Sequence, residues 1–179
     1  FIGHKIDLAH DDTVVLAVPH RMAGLLLPDM TVPDDSRSIV NAHYRLPSPV
    51  PIKQGCAFLA LVGGTAQWLF FRGDVVSATV SAAEGLVDLP ADEIAHMIWR
   101  DVRRAVAGAP DELPPYRIIK EKTATFAQTP RQISRRPAAA TPIRNLVLAG
   151  DWTDTGLPAT IEGALRSGQR AARLVLARH

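Results

Sequence analysis

Residues 145–172, NLVLAGDWTDTGLPATIEGALRSGQRAA, constrain this chain more than any other stretch. Residues 145–149 read as a short buried strand, and Gly, Asp, Thr and Pro follow as a turn. Residues 159–177 then predict a helix whose first turn carries small residues. That order places a row of unpaired backbone N–H groups at the C-terminal edge of a sheet, where α/β folds bind cofactors. The chain is therefore expected to hold part of a nucleotide-cofactor site.

The rest of the chain organises around that motif. Residues 1–8 alternate weakly, and His10, Asp11 and Asp12 supply a polar turn. Residues 14–18 (VVLAV) form a continuous apolar run ended by Pro19, the pattern of a strand covered on both faces. A short helical segment at 22–27 stops at Pro28, and the turn-rich stretch 28–38 (PDMTVPDDSRS) is the first candidate domain crossing. From Ile39 the texture changes to strands at 39–46, 57–62, 66–72 and 75–82, with Gly73-Asp74 as a compact turn, as in an antiparallel sheet. Residues 92–107 predict a helix, since Ile94, Ile98, Val102 and Ala105 recur at helical spacing and Asp92 and Glu93 suit its N-terminus. Residues 114–122 read as a further strand, and Thr129-Pro130 as the N-cap and first position of a short helix. In the last helix, Ile161, Ala164, Leu165, Gly168, Ala171, Ala172 and Val175 are expected to form the buried face. The fold class is α/β plus α+β, a sheet domain interrupted by a strand-rich insert.

Composition narrows the function. With 47% hydrophobic and 21% charged residues, the 179-residue chain is neither disordered nor membrane-spanning. A net charge of +2 and 6% aromatic residues offer no basic, aromatic-laced stripe, so nucleic acid is not an expected partner. The single cysteine, Cys56, excludes an internal disulfide, and the six histidines show no metal-ligand spacing. No metal is expected, and a cytoplasmic setting is the default. The first residue is Phe1, and the opening reads as though joined in mid-sheet, which suggests a fragment.

The chemistry of the motif follows from residue type. Gly150 and Gly156 allow close backbone approach because they lack Cβ. Asp151 can accept hydrogen bonds from ribityl hydroxyls, or simply brace the turn. Pro158, Ala159 and Thr160 open the helix, so its first N–H groups carry partial positive charge, suited to the N1/C2 carbonyl region of a flavin. Gly163 and Gly168 let the helix sit tightly against neighbouring backbone. The same residues also fit a plain strand–turn–helix. Asp154 fits either a place near substrate or an Asx-type turn, and Glu162 a solvent-facing position.

The run LAGDWTDTGLPATIEGALRSG (148–168) resembles the C-terminal flavin motif of the flavin-dependent amine oxidase and phytoene desaturase superfamily. Its form GDWTDTGLPATIEGA is similar to that of the squalene-associated FAD-dependent desaturases, the hydroxysqualene dehydroxylases. VVLAVPHRMAGLL, IVNAHYRLP, QWLFFR and IIKEKTATFAQTP agree, so the resemblance covers nearly the whole chain. It implies FAD as cofactor, with contacts from Gly150, Asp151, Trp152, Pro158, Ala159, Thr160, Ile161 and Gly163. It also implies a Rossmann-like FAD domain split in sequence: pieces at 1–27 and 142–179, with a substrate domain at 28–141. No G-x-G-x-x-G stands in the chain, so the family's N-terminal βαβ unit has no match and the piece alone is expected to be inactive.

The implied reaction converts hydroxysqualene to squalene by hydride from reduced flavin, and the implied partner is a long-chain isoprenoid. Trp68, Leu69, Phe70 and Phe71 could line its tunnel, though alternation lets only half of them face it. No catalytic acid is identified; His43 and Asp154 are candidates. The basic run 131–136 (RQISRR) could touch an anionic membrane surface or form a solvated helix face. A carotenoid desaturase or amine oxidase is the neighbouring alternative, with Trp152 compatible with an aromatic cage. A non-catalytic remnant is the other alternative.

Overall fold

The computed structural model describes residues 7–50 and 56–178. Most of the weakly alternating segment expected at 1–8 lies outside them. The chain divides into two compact units, one of Phe1–Asp35 with Phe126–His179 and one of Ser36–Thr125.

The first unit contains β1 (Val14–Leu16) and α1 (His20–Leu26) from the early part of the chain. Its later part supplies α3, β7 and α4, which come after the insert at Pro130–Ile133, Leu146–Leu148 and Ile161–Leu176. β1 and β7 pair in parallel, with Val14 opposite Leu146 and Leu16 opposite Leu148. Because the pair is parallel and in register, the segments after the two strands emerge at one sheet edge. Ala23, Val32, Phe126, Leu148 and Trp152 form one core, and Ala139, Val147, Ala149 and Ala171 another.

The units change over at Asp35 and Phe126 rather than at 28 and 141. Two contacts explain this. Val32 and Phe126 are buried in the Trp152 cluster. Asp34 is also tied to α3: its N–H donates to Gln132 Oε1 at 2.9 Å, and Gln132 Nε2 donates to its carboxylate at 2.7 Å. Turn-forming composition marks the chain's direction changes but carries no information about these packing partners.

The second unit holds β2 (Ser36–Arg45), β3 (Phe58–Ala60), β4 (Trp68–Arg72), β5 (Val75–Ser81), α2 (Ala91–Ala105) and β6 (Tyr116–Phe126), whose last residue belongs to the first unit. The five strands form a sheet in the order β3-β4-β5-β2-β6, antiparallel along β3-β4-β5-β2. Alternation separates its faces. Val40, Ala42, Tyr44, Leu69, Val76, Ala78 and Val80 share a core with Ile94, Ala95, Ile98, Trp99 and Val102 of α2. Burying each large aliphatic side chain there contributes about 1.5–3 kcal/mol. Tyr44 also donates from its hydroxyl to the Ala95 carbonyl at 2.8 Å.

The last helix packs on a face other than the one its hydrophobicity predicts. Gly163, Ser167 and Ala171 are buried, whereas Ile161 is 83% and Leu165 59% exposed. Of the seven expected residues, Ala171 and Val175 pack against the Ala139–Val147–Ala149 cluster. The reason is polar. The Ser167 hydroxyl accepts from Gly150 N–H at 2.9 Å and lies 2.7 Å from Thr153 Oγ1, which turns a small-residue edge toward the loop.

Candidate functional site

The edge beyond β7 is built by a closed hydrogen-bond circuit. Gly150 N–H donates to Ser167 Oγ, and Thr153 Oγ1 donates to the Gly150 carbonyl at 2.9 Å. Ser167 therefore donates to Thr153, since each hydroxyl has one proton to give. Strand end, loop and helix are locked together by three residues. Gly150 has φ +144°, and a Cβ there would lie 2.3 Å from Trp152 Nε1.

The residues expected at the cofactor divide into groups. Trp152 is almost fully buried, and its indole N–H donates to the Val18 carbonyl at 2.8 Å. Its ring belongs to the core of this unit. Ala159 also packs against this cluster. Pro158, Thr160 and Ile161 are exposed around the start of α4. Thr160 caps that helix by accepting from Gly163 N–H at 3.0 Å. Gly163 is close-packed as expected, since a Cβ there would meet the Pro158 carbonyl at 2.9 Å. At Gly168 an added Cβ would meet nothing within 4 Å among the described residues, which show no tight packing there. Asp151 is half-buried beside the loop. Asp154 is exposed, with its N–H donating to the Pro137 carbonyl at 2.8 Å. Glu162 faces solvent and pairs with Arg166 at 2.7 Å.

Two residues at this edge escape sequence reasoning. His20 opens α1 and is 6% exposed; burial pulls its pKa below the ordinary value, while the Asp151 charge opposes that shift. The parallel pairing of β1 with β7 is the available signal, since it sends both strands' sequels to one edge. Arg136 is the other. The basic run 131–136 does not form one surface patch: Arg135 turns to the Val32 carbonyl and Asp34, and Arg136 to the loop. Arg131 alone of the three arginines is exposed.

The His20 shift has a consequence for stability. Its folded pKa lies below the ordinary 6.5, so the unfolded chain takes up the proton first as pH falls. Its contribution is fully present above that value, shrinks through the window between the unfolded and folded pKa, and is constant below. Urea unfolding of wild type and His20→Asn at pH 7 and pH 5 should show a smaller loss in the variant. Equal losses would contradict the assignment.

The open sheet face of the second unit carries two of the four residues considered for a substrate wall, Trp68 and Phe70. Register aligns Phe58, Phe70, Ser77 and His43 in one cross-strand row, and Ala60, Trp68, Thr79 and Asn41 in the next. Trp68 and Phe70 lie on this face, and Leu69 and Phe71 on the α2 side. His43 Nδ1 sits 2.8 Å from Ser77 Oγ. The face thus grades from aromatic to polar.

Within the first unit, a groove of about 820 Å³ is lined by residues including Leu27, Met30, Arg136 and Ile143. None of the eight residues expected at the cofactor lines it, so the motif defines a different surface. That surface fits a flavin's electron-rich ring edge and phosphates. It presents the N-terminus of a 16-residue helix, whose macrodipole places roughly half a positive charge there, beside glycine backbone and an exposed Pro158–Ile161 rim.

Residues 3–176 match the profile of the flavin containing amine oxidoreductase family, and the chain belongs to that family. It is 49% identical over 176 residues, 98% of its length, to a hydroxysqualene dehydroxylase of Sinorhizobium fredii, covering 41% of that protein. A hydroxysqualene dehydroxylase of Rhodopseudomonas palustris is 49% identical over 172 residues, 96% of this chain and 40% of the relative. A 15-cis-phytoene desaturase of Synechococcus elongatus is 38% identical over 69 residues, 38% of this chain and 15% of that protein. The chain thus spans about two-fifths of the length of the hydroxysqualene dehydroxylases it matches. A solved putrescine oxidase double mutant shares the fold at a TM-score of 0.61 and 17% identity, over 92% of this chain and 42% of that one.

Proposed function

We propose that the protein carrying this chain is an FAD-dependent oxidoreductase that converts hydroxysqualene to squalene. The observation that carries the reading is 49% identity to a hydroxysqualene dehydroxylase across 98% of this chain. The carotenoid desaturases match more weakly, at 38% identity over 38% of this chain or at 24–29% over 51–68% of it. The buried Trp152 ring also gives no support to an amine oxidase cage.

The conversion replaces an allylic C–O bond by C–H: a hydride enters, and the hydroxyl takes one proton and leaves as water. Bound flavin supplies that hydride from its reduced ring. The chain's own part is binding and orientation. The α4 N-terminus favours negative charge on the reduced ring, Gly150 and Gly156 permit close approach, and Asp151 is available to ribityl hydroxyls. On the substrate side, Phe58, Trp68 and Phe70 offer apolar surface to an isoprenoid chain. Such a substrate partitions into bilayers, so the reading includes a cytoplasmic-side peripheral membrane contact.

The test uses the whole protein purified with its flavin. The flavin is reduced without oxygen, hydroxysqualene is added, and absorbance is followed while lipid is extracted. Flavin reoxidation matched mole for mole by squalene is expected. A flavin that stays reduced with no squalene formed would overturn the reading.

A further inference from the structure

We propose that Arg136 is the positioning residue of the flavin loop, its guanidinium holding residues 150–158 in the conformation that receives the cofactor. The inference rests on the flavin reading above. Arg136 Nη1 donates to the Leu157 carbonyl at 2.7 Å. Its Nη2 donates to the Asp151 carbonyl and the Thr155 hydroxyl, both at 3.0 Å, and to the Thr153 carbonyl. One side chain thus gathers four acceptors spread over seven residues of a segment that is neither helix nor strand. The guanidinium carbon lies 5.3 Å from the centroid of the buried Phe126 ring, which braces the cation from a second direction. Its Nε–H has no partner among the described residues, so its donated bonds are directed to this loop.

The physical need is plain. A loop without a backbone ladder must still satisfy its carbonyls, and a planar fork of five donors can serve several at once. Lysine, whose three donors radiate from one nitrogen, cannot reproduce that planar spread. Orientation follows as well. In a trans peptide the C=O and N–H point in opposite directions, so drawing the Asp151 carbonyl to Arg136 turns the Trp152 N–H away from it.

The experiment compares whole wild-type protein with Arg136→Ala and Arg136→Lys. Flavin is stripped and FAD is titrated back by fluorescence, with far-UV circular dichroism checking the fold. Arg136→Ala is expected to fold and bind FAD about 10- to 100-fold more weakly, from the loss of several charge-assisted bonds. Millimolar guanidinium ion should restore affinity in that variant and not change wild type, and the lysine variant should fall between the two. A purely structural side chain would lower the thermal midpoint without this rescue. Should Arg136→Ala fail to fold, Thr155→Val removes one acceptor and should weaken FAD about threefold. Folded variants with wild-type FAD affinity, or weakening with no guanidinium rescue, would overturn the inference. Wild type that binds no flavin would instead overturn the flavin reading, and this inference with it.

Discussion

Gly150→Ala is expected to destabilise the protein by roughly 3–5 kcal/mol, among the largest effects of any single methyl group added to this chain. Two costs add. At φ +144° an L-residue is strained, typically by about 1–3 kcal/mol. The new Cβ would also sit 2.3 Å from Trp152 Nε1, in contact with a side chain that is 1% exposed and cannot swing aside. If the indole moves, it loses its bond to the Val18 carbonyl; if the backbone moves, the Ser167–Thr153 circuit opens. Urea unfolding followed by tryptophan fluorescence measures the cost, and retained flavin measures the consequence at the site. Gly156→Ala is the internal control. It has φ +75° but nothing among the described residues within 4 Å of its Cβ, so it should cost only the backbone strain, about 1–2 kcal/mol. Equal effects at the two glycines would show that the Trp152 contact is not decisive.

Asp101→Ala should cost about 3 kcal/mol, through the second unit. The Asp101 carboxylate, on α2, accepts from Thr65 N–H at 2.6 Å and Ala66 N–H at 3.0 Å, and Ala66 is 1% exposed. Removing the acceptor strands two donors at the β3–β4 connection, each worth about 1.5–3 kcal/mol when bonded to a charge. Gly64 belongs to the same arrangement, because a Cβ there would lie 2.8 Å from the carboxylate carbon. Since β3 and β4 carry Phe58, Trp68 and Phe70, the loss should also disorder the aromatic face. Asp101→Asn keeps an oxygen acceptor and should cost about 1 kcal/mol. Guanidinium chloride unfolding of both variants separates the cases; equal, small losses would show that the turn holds itself.

Much of the fold is legible in the sequence because its cause is local. Apolar runs ended by proline or glycine mark β1 and β7, helical spacing marks α2, and alternation marks the antiparallel strands and their two faces. The Thr129 cap and Pro130 start are readable from two residues. The strand–turn–helix from β7 to α4 is equally readable, since glycine, turn and small helix start succeed one another directly. Expectation and structure part where the deciding partner lies far along the chain. The buried face of α4 differs from the expected one because hydrophobicity ranks Ile161 and Leu165 above Ser167, and only the distant Gly150 N–H reverses that order. Arg136 reads as a surface charge because its acceptors lie 15 to 21 residues away, in a loop whose path no periodicity describes.

The sequence by itself therefore determined the elements and the strand-rich insert, since each rests on residue type at short spacing, and its resemblance to known flavoproteins pointed to the family. Only the tertiary structure decided where the units change over, that the Trp152 ring is core, and that His20 and Arg136 stand at the loop. The physical reason is that burial and hydrogen-bond satisfaction are properties of pairs brought together by the chain's return. A residue's own chemistry states what it needs, and the fold supplies the partner that meets the need.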